Sequence, residues 1–226
     1  MQGNVSFSST LDSLALAKFV ERMLDNYLPD GRALPYPIFP LIEPTLERLE
    51  HCFSRIERKY YNADGVARFD HLNSDHMAMF LYMLANTSWR QTGDTELPTK
   101  LFYLNKILNG LDLYFSVALP DVFLLVHPVG TVIGNASYSD YLVVYQNCTV
   151  GADNGVYPTF GEGTILFSRS SVLGAATVGA NVVFAANSFV VNTAVPADSI
   201  VVGQFPQHRF LPNPRSVRNR VFDAAS

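Results

Sequence analysis

Cysteine is scarce in this 226-residue chain: Cys52 and Cys148 stand far apart, with no cluster of other ligand residues around either. That argues against a disulfide-stapled scaffold and against a structural metal site, so both thiols read as reduced, small core residues and no metal is expected. Charge is sparse as well. Only 16% of the residues are charged and the formal net charge is -4, which leaves no basic field to release counterions from a phosphate backbone; nucleic acid is a poor partner. The mild cluster of Arg209, Arg215, Arg218 and Arg220 near the end is the exception. No stretch approaches the ~18 consecutive apolar residues of a membrane span, and the polar Met1 to Thr10 segment lacks the apolar run of a signal peptide. A cytoplasmic location is the expectation.

What is present is a chain of two characters. Its 48% apolar content suffices for one large core or two modest ones. In the first half Leu16, Phe19, Val20, Met23, Leu24 and Tyr27 form one apolar stripe at helical spacing, ending before Pro29-Asp30-Gly31. A proline-rich loop is expected over Leu34 to Pro44, then a second helix carrying Leu46, Leu49, Phe53, Ile56 and Tyr60. Ser74 and Asp75 suit the cap of a third helix, Met77 to Trp89, and Leu97-Pro98-Thr99 opens a fourth that runs to about Leu111. Residues 1–115 are therefore expected as a helical domain.

After Pro120 the helical stripes vanish and a six-residue beat takes over. Phe160, Leu166, Val172, Val178, Phe184 and Val190 keep it without a miss, and Val132, Tyr138, Val144 and Val150 keep it in a second register. The two registers differ by a four-residue insertion, so Ala152 to Thr159 should bulge out as a loop. Such a period suits a parallel β-helix with three flat faces to a coil, each apolar position pointing into the prism. Short strands in a β-sandwich have no reason to hold so strict a beat. The fold class is thus α+β, a helical N-terminal domain followed by a parallel β-helix over residues 116–206, with 207–226 as a C-terminal tail.

The segment Leu125 to Gly151, LVHPVGTVIGNASYSDYLVVYQNCTVG, resembles the first coils of serine O-acetyltransferases, a branch of the left-handed β-helix, hexapeptide-repeat acyltransferases. The likeness continues through Val144 to Gly151 and through the closing turn Pro196 to Gly203, covers roughly residues 112–206, and extends more loosely to the helical cap. It implies a left-handed β-helix, acetyl-CoA as co-substrate and a homotrimer or dimer of trimers. His127 falls on the family's general base, and Asp112, fifteen positions earlier, on its partner carboxylate. The chemistry suits those residue types: histidine can take a hydroxyl proton near neutral pH, and a carboxylate on the far ring nitrogen holds the tautomer and stabilises the imidazolium. Candidates for the CoA slot between neighbouring prisms are Ala152, Ser168, Gly174 and Ala186. Asp75 and His76 are candidates for acceptor binding, since an acidic residue of the helical domain serves so in the family, although either could simply cap a helix.

The chain also departs from that pattern. Where the family carries an Arg-His pair before a proline in the inter-coil loop, this sequence has Val156-Tyr157-Pro158, and Val126 replaces the usual Asp before the base. Losing the arginine removes the natural carboxylate clamp, while Tyr157 offers an aromatic face suited to a sugar ring. The ending Ala-Ala-Ser lacks the terminal Ile with which the family's tail docks into its sulfhydrylase partner, so that complex is not expected. The residues leave three readings: an O-acetyltransferase acting on a small hydroxyl acceptor, an N-acetyltransferase acting on an amino sugar, and a non-catalytic trimeric scaffold.

Overall fold

The computed structural model describes residues 7–222. Four helices, α1 (Ser13–Tyr27), α2 (Phe39–Phe53), α3 (Ser74–Thr92) and α4 (Glu96–Asn109), make up the N-terminal part. The first follows its apolar stripe, burying Leu16, Val20 and Leu24, and Asp12 caps it by accepting from Ala15 N. The second differs from expectation, beginning at Phe39 inside the proline-rich run. Pro40 sits in the first turn, where a missing N–H is no loss, and although Pro44 leaves one helical bond unmade, Thr45 Oγ1 bonds back to Leu41 O at 2.7 Å. It also ends early, at Phe53. Tyr60 belongs to the turn that follows, ahead of a small sheet of β1 (Phe7–Ser9), β2 (Asn62–Ala63) and β3 (Val66–Phe69). Asp64 and Gly65 take φ 56° and 76° in the connecting turn, the left-handed pair that an Asp-Gly hairpin turn requires.

From Asp112 to Val202 the chain winds into about five coils with three parallel faces. One face stacks β5 (Phe123–Val126), β7 (Leu142–Tyr145), β10 (Thr164–Leu166), β13 (Val182–Phe184) and β16 (Ser199–Val202). The second stacks β4 (Asp112–Leu113), β6 (Val132–Ile133), β8 (Thr149–Gly151), β11 (Ser171–Leu173) and β14 (Phe189–Val191). The third holds β9 (Thr159–Phe160), β12 (Thr177–Val178) and β15 (Ala194–Val195).

Register shows why the six-residue beat exists. Val172 pairs with Val190, eighteen positions on, which is three faces of six. Val172 also pairs backward with Val150, and that step is longer by the four-residue insertion. Residues 152–158 accordingly leave the prism as a loop, closed on itself by the Asp153–Val156 bridge. Phe160, Leu166, Val172, Val178, Phe184 and Val190 are all buried. In the first coil the inward residue is Ile133, paired with Val150, while Val132 faces outward and is 41% exposed. The β6 strand offers two adjacent apolar residues, so the sequence pattern is ambiguous there by one place.

As far as Phe222 the C-terminal segment packs back on the molecule. After β16 the chain turns, pairs β17 (Arg209–Pro212) antiparallel to β16, and then forms α5 (Val217–Val221). Val217, Val221 and Phe222 are buried, and Phe222 bridges to Ile56 in the helical part. Arg218 and Arg220 lie over the rings of Tyr141 and Phe167, so two of the four arginines of the basic cluster pack on aromatics. Cys52 and Cys148 are free and buried, and burial pushes the Cys52 thiol up to about 12.

Candidate active site

His127 stands in the turn that leaves β5, a strand buried along its whole length. Its backbone takes φ 47°, a left-handed conformation that a side-chain-bearing residue adopts at a cost of about 1–3 kcal/mol. The turn is held by Val129 N donating to His127 O at 2.7 Å and Thr131 N donating to Pro128 O at 3.1 Å. The strained backbone throws the ring outward, and the side chain is 73% exposed.

One carboxylate reaches that ring, and it comes from α3. Asp75 Oδ2 lies 3.2 Å from His127 Nδ1, with the Asp75 side chain only 12% exposed. Asn73 caps α3, its side chain accepting from Asp75 N and His76 N, so the cap lies one residue before Ser74. Asp75 therefore sits in the first helical turn, where the helix dipole favours negative charge. Its other oxygen, Oδ1, is buried and has no partner among the described residues. With Nδ1 facing the carboxylate, Nε2 is the nitrogen left for a reactant.

Asp112, expected as the partner of His127, has a different contact. Its Oδ2 is 2.6 Å from Lys106 Nζ, on α4. Its backbone does adjoin the His127 turn, Asp112 N donating to Thr131 O at 2.9 Å. His76, expected at the acceptor, lies in the core among Phe53, Tyr61 and Phe69. Its Nδ1 accepts from Asp70 N at 3.1 Å, and burial pushes its pKa down to about 4. The ring is a neutral packing element behind Asp75.

Of the four candidates for a CoA slot, two share a place. Ser168 and Ala186 line an open groove of about 520 Å³ on the β7–β10–β13 face, with Tyr145, Phe167 and Arg220 beside them. Ala152 and Gly174 lie at the inter-coil loop instead. Gly174 has φ 66°, and a Cβ there would come within 2.8 Å of Asp153 Cβ and closer still to Asn192 Oδ1. Asn192 ties this corner together by donating to Asp153 Oδ2 at 2.7 Å and accepting from Ala175 N at 2.8 Å. Tyr157 leans over Gly134, where a Cβ would meet its ring at 2.8 Å, and stays 39% exposed. Among the described residues no group of three or more His, Cys, Asp or Glu is placed to hold a metal, and no helix is long and apolar enough to cross a membrane.

A helical cap on a parallel β-helix of eighteen-residue coils, with an outward histidine at the first of them, defines a hexapeptide-repeat protein of the left-handed β-helix class. Within that class its fold is similar to those of serine acetyltransferases. Serine acetyltransferase of Vibrio cholerae superposes with a TM-score of 0.68 at 22% identity, over 90% of this chain and 82% of that one. Serine acetyltransferase of Brucella abortus in complex with coenzyme A gives 0.67 at 18% identity, over 92% and 84%. In sequence, serine acetyltransferase of Synechococcus elongatus is 31% identical over 112 residues, which is 47% of this chain and 46% of the relative. The chain thus spans about half the length of the curated relatives it matches, and no family model matches it.

Proposed function

We propose that the chain is an acetyl-CoA-dependent O-acetyltransferase acting on a small hydroxyl acceptor, with His127 as general base and Asp75 as the carboxylate that holds it. The single observation carrying this is the outward imidazole fixed through Nδ1 by a buried carboxylate. Acetyl-CoA supplies an activated acetyl thioester. His127 Nε2 takes the acceptor's hydroxyl proton as its oxygen bonds to the thioester carbonyl, and returns that proton to the departing thiolate. Asp75 keeps the proton of the neutral ring on Nδ1 and balances the imidazolium that forms in between.

A base exposed to this degree needs a cover. Val129 in the His127 turn, Val132 on the next strand and Tyr114 just past its partner strand β4 are 60%, 41% and 42% exposed, an apolar surface suited to burial by a second copy, so a trimer in which neighbouring prisms close the site follows from this reading. The groove bearing Ser168 and Ala186 fits a pantetheine arm in its small lining residues, and Arg220 at its side suits a phosphate. The absence of an arginine in the Val156-Tyr157-Pro158 loop favours an acceptor lacking the carboxylate that such a clamp would hold. The test is thiol release from acetyl-CoA with serine, homoserine, sugars and nucleotide sugars as acceptors. One of these should turn over, and His127→Ala should abolish that turnover while keeping the far-UV circular dichroism of the native protein. A His127→Ala protein with native turnover removes the base assignment, and a native protein that CoA does not protect against thermal unfolding favours the scaffold.

A further inference from the structure

The helical part carries a recess that the His127 site does not use. Pro44, Arg48, Thr87, Arg90, Gln91 and Asp121 line a space of about 440 Å³ beside α2 and α3. A smaller one of about 260 Å³ shares Arg48 and Asp121 and adds Glu47 and His51. None of these side chains belongs to the turn of His127 or to the groove of Ser168 and Ala186.

The feature that needs an explanation is the pairing of the two arginines. Arg48 spends one nitrogen, Nη1, on Met83 O at 3.2 Å and Thr87 Oγ1 at 2.7 Å, both uncharged acceptors. Among the described residues neither Arg48 nor Arg90 forms an ion pair, and Arg90 has no hydrogen-bond partner there either. Burial depresses the Arg48 pKa and the like charge of Arg90 adds to the depression, with Tyr82 and Asp121 opposing it. A partly buried guanidinium with most of its fork unused, next to a second one in the same recess, is an arrangement that an anion relieves. The remaining donors match a tetrahedral group: the Thr87 hydroxyl accepts from Arg48 and has its own proton to give, and the Gln91 amide adds two more. The volume falls in the range of small-ligand sites, and the carboxylates of Asp121, which lines the same space, and Glu47, which lines the smaller one, disfavour an extended polyanion.

We propose that this recess binds a compact tetrahedral oxyanion, phosphate or sulfate, free or as the head of a small ester, with Arg48 and Arg90 as its clamp. The proposal is independent of the acetyl-transfer reading. Isothermal titration of the full chain with sodium phosphate, and separately with sodium sulfate, against sodium chloride at matched ionic strength should show saturable binding at one site per chain. The tighter of the two identifies which ester class to pursue. Arg90 is exposed, so Arg90→Gln keeps the fold and should weaken binding about tenfold or more. Arg48→Lys, which keeps the charge and loses the fork, should weaken it as well. Absence of saturable heat with both anions, or an Arg90→Gln protein that binds within twofold of the native chain, overturns the proposal.

Discussion

Replacing Asp75 by Asn is the sharpest test of how the candidate base is held. The amide has the shape of the carboxylate and removes only its charge, so the local packing survives. At the observed 3.2 Å, a carboxylate and an imidazolium attract by about 1.3 kcal/mol in bulk water and by about 5 kcal/mol at an effective dielectric of ~20. The ring is 73% exposed and the carboxylate 12%, which places the pair between those limits, at about 2–3 kcal/mol. The amide carbonyl can still accept from Nδ1–H and hold the neutral tautomer, so what is lost is the charge that balances the protonated ring, and the loss should fall on kcat, by roughly 30- to 150-fold, with little change in KM. Thiol release from acetyl-CoA, followed at saturating acceptor, reads it directly. Asp112→Asn is the control: its carboxylate faces Lys106, and kcat should stay within about threefold of the native value. If Asp75→Asn turned over at the native rate while Asp112→Asn lost two orders of magnitude, the assignment of the partner carboxylate to α3 would be refuted.

Three further outcomes follow from the packing. His76 is held at a pKa of about 4 by burial, below its usual ~6.5, so the unfolded chain binds its proton first as the pH drops. Stability should be fully present above about pH 6.5 and decline towards pH 4 by up to about 1.4 kcal/mol per pH unit; urea midpoints across that window check it, and a flat profile contradicts it. Gly179→Ala would place a Cβ 2.5 Å from Ala197 N and 2.8 Å from Ala197 Cα, pushing one coil off the next, and calorimetry should register a loss of about 1–3 kcal/mol as a melting point lower by several degrees. Cys52 and Cys148 are buried, and burial raises both thiols, so Ellman's reagent at pH 8 should find no fast-reacting thiol until urea is added; a prompt reaction of the native protein would show that the core is open.

The coils were legible because a three-sided prism has an inward position on every face, and a mismatch of four residues between registers can only leave as a loop. The same logic failed locally at Val132, where either of two neighbouring apolar residues satisfies the pattern and only stacking on Val150 selects Ile133. The start of α2 was hidden by prolines whose helix-breaking tendency lapses in a first turn. The hairpin after it had a readable Asp64-Gly65 signal that the helical stripe outweighed. His127 is picked out by its motif as the candidate base. Its carboxylate could not be chosen from spacing, because what brings Asp75 to Nδ1 is the placement of the α3 N-terminus against the first coil, a tertiary relation with no periodic trace in the chain. The pairing of Arg48 with Arg90 is invisible for the same reason.

The returning C-terminal segment has a mechanical consequence. A stack of coils in which each touches only its neighbours can peel from its far end one repeat at a time. Here the chain leaves the last coil and climbs back along the corners: Asn213 and Val217 take bonds at Asn181, Arg218 covers Tyr141, and Glu57 N donates to Val221 O beside the helical cap. The segment acts as a strap buckled at both ends. Unwinding the terminal coil tightens it against the cap, so the solenoid has no loose end from which to fray, and its coils and helices should melt together.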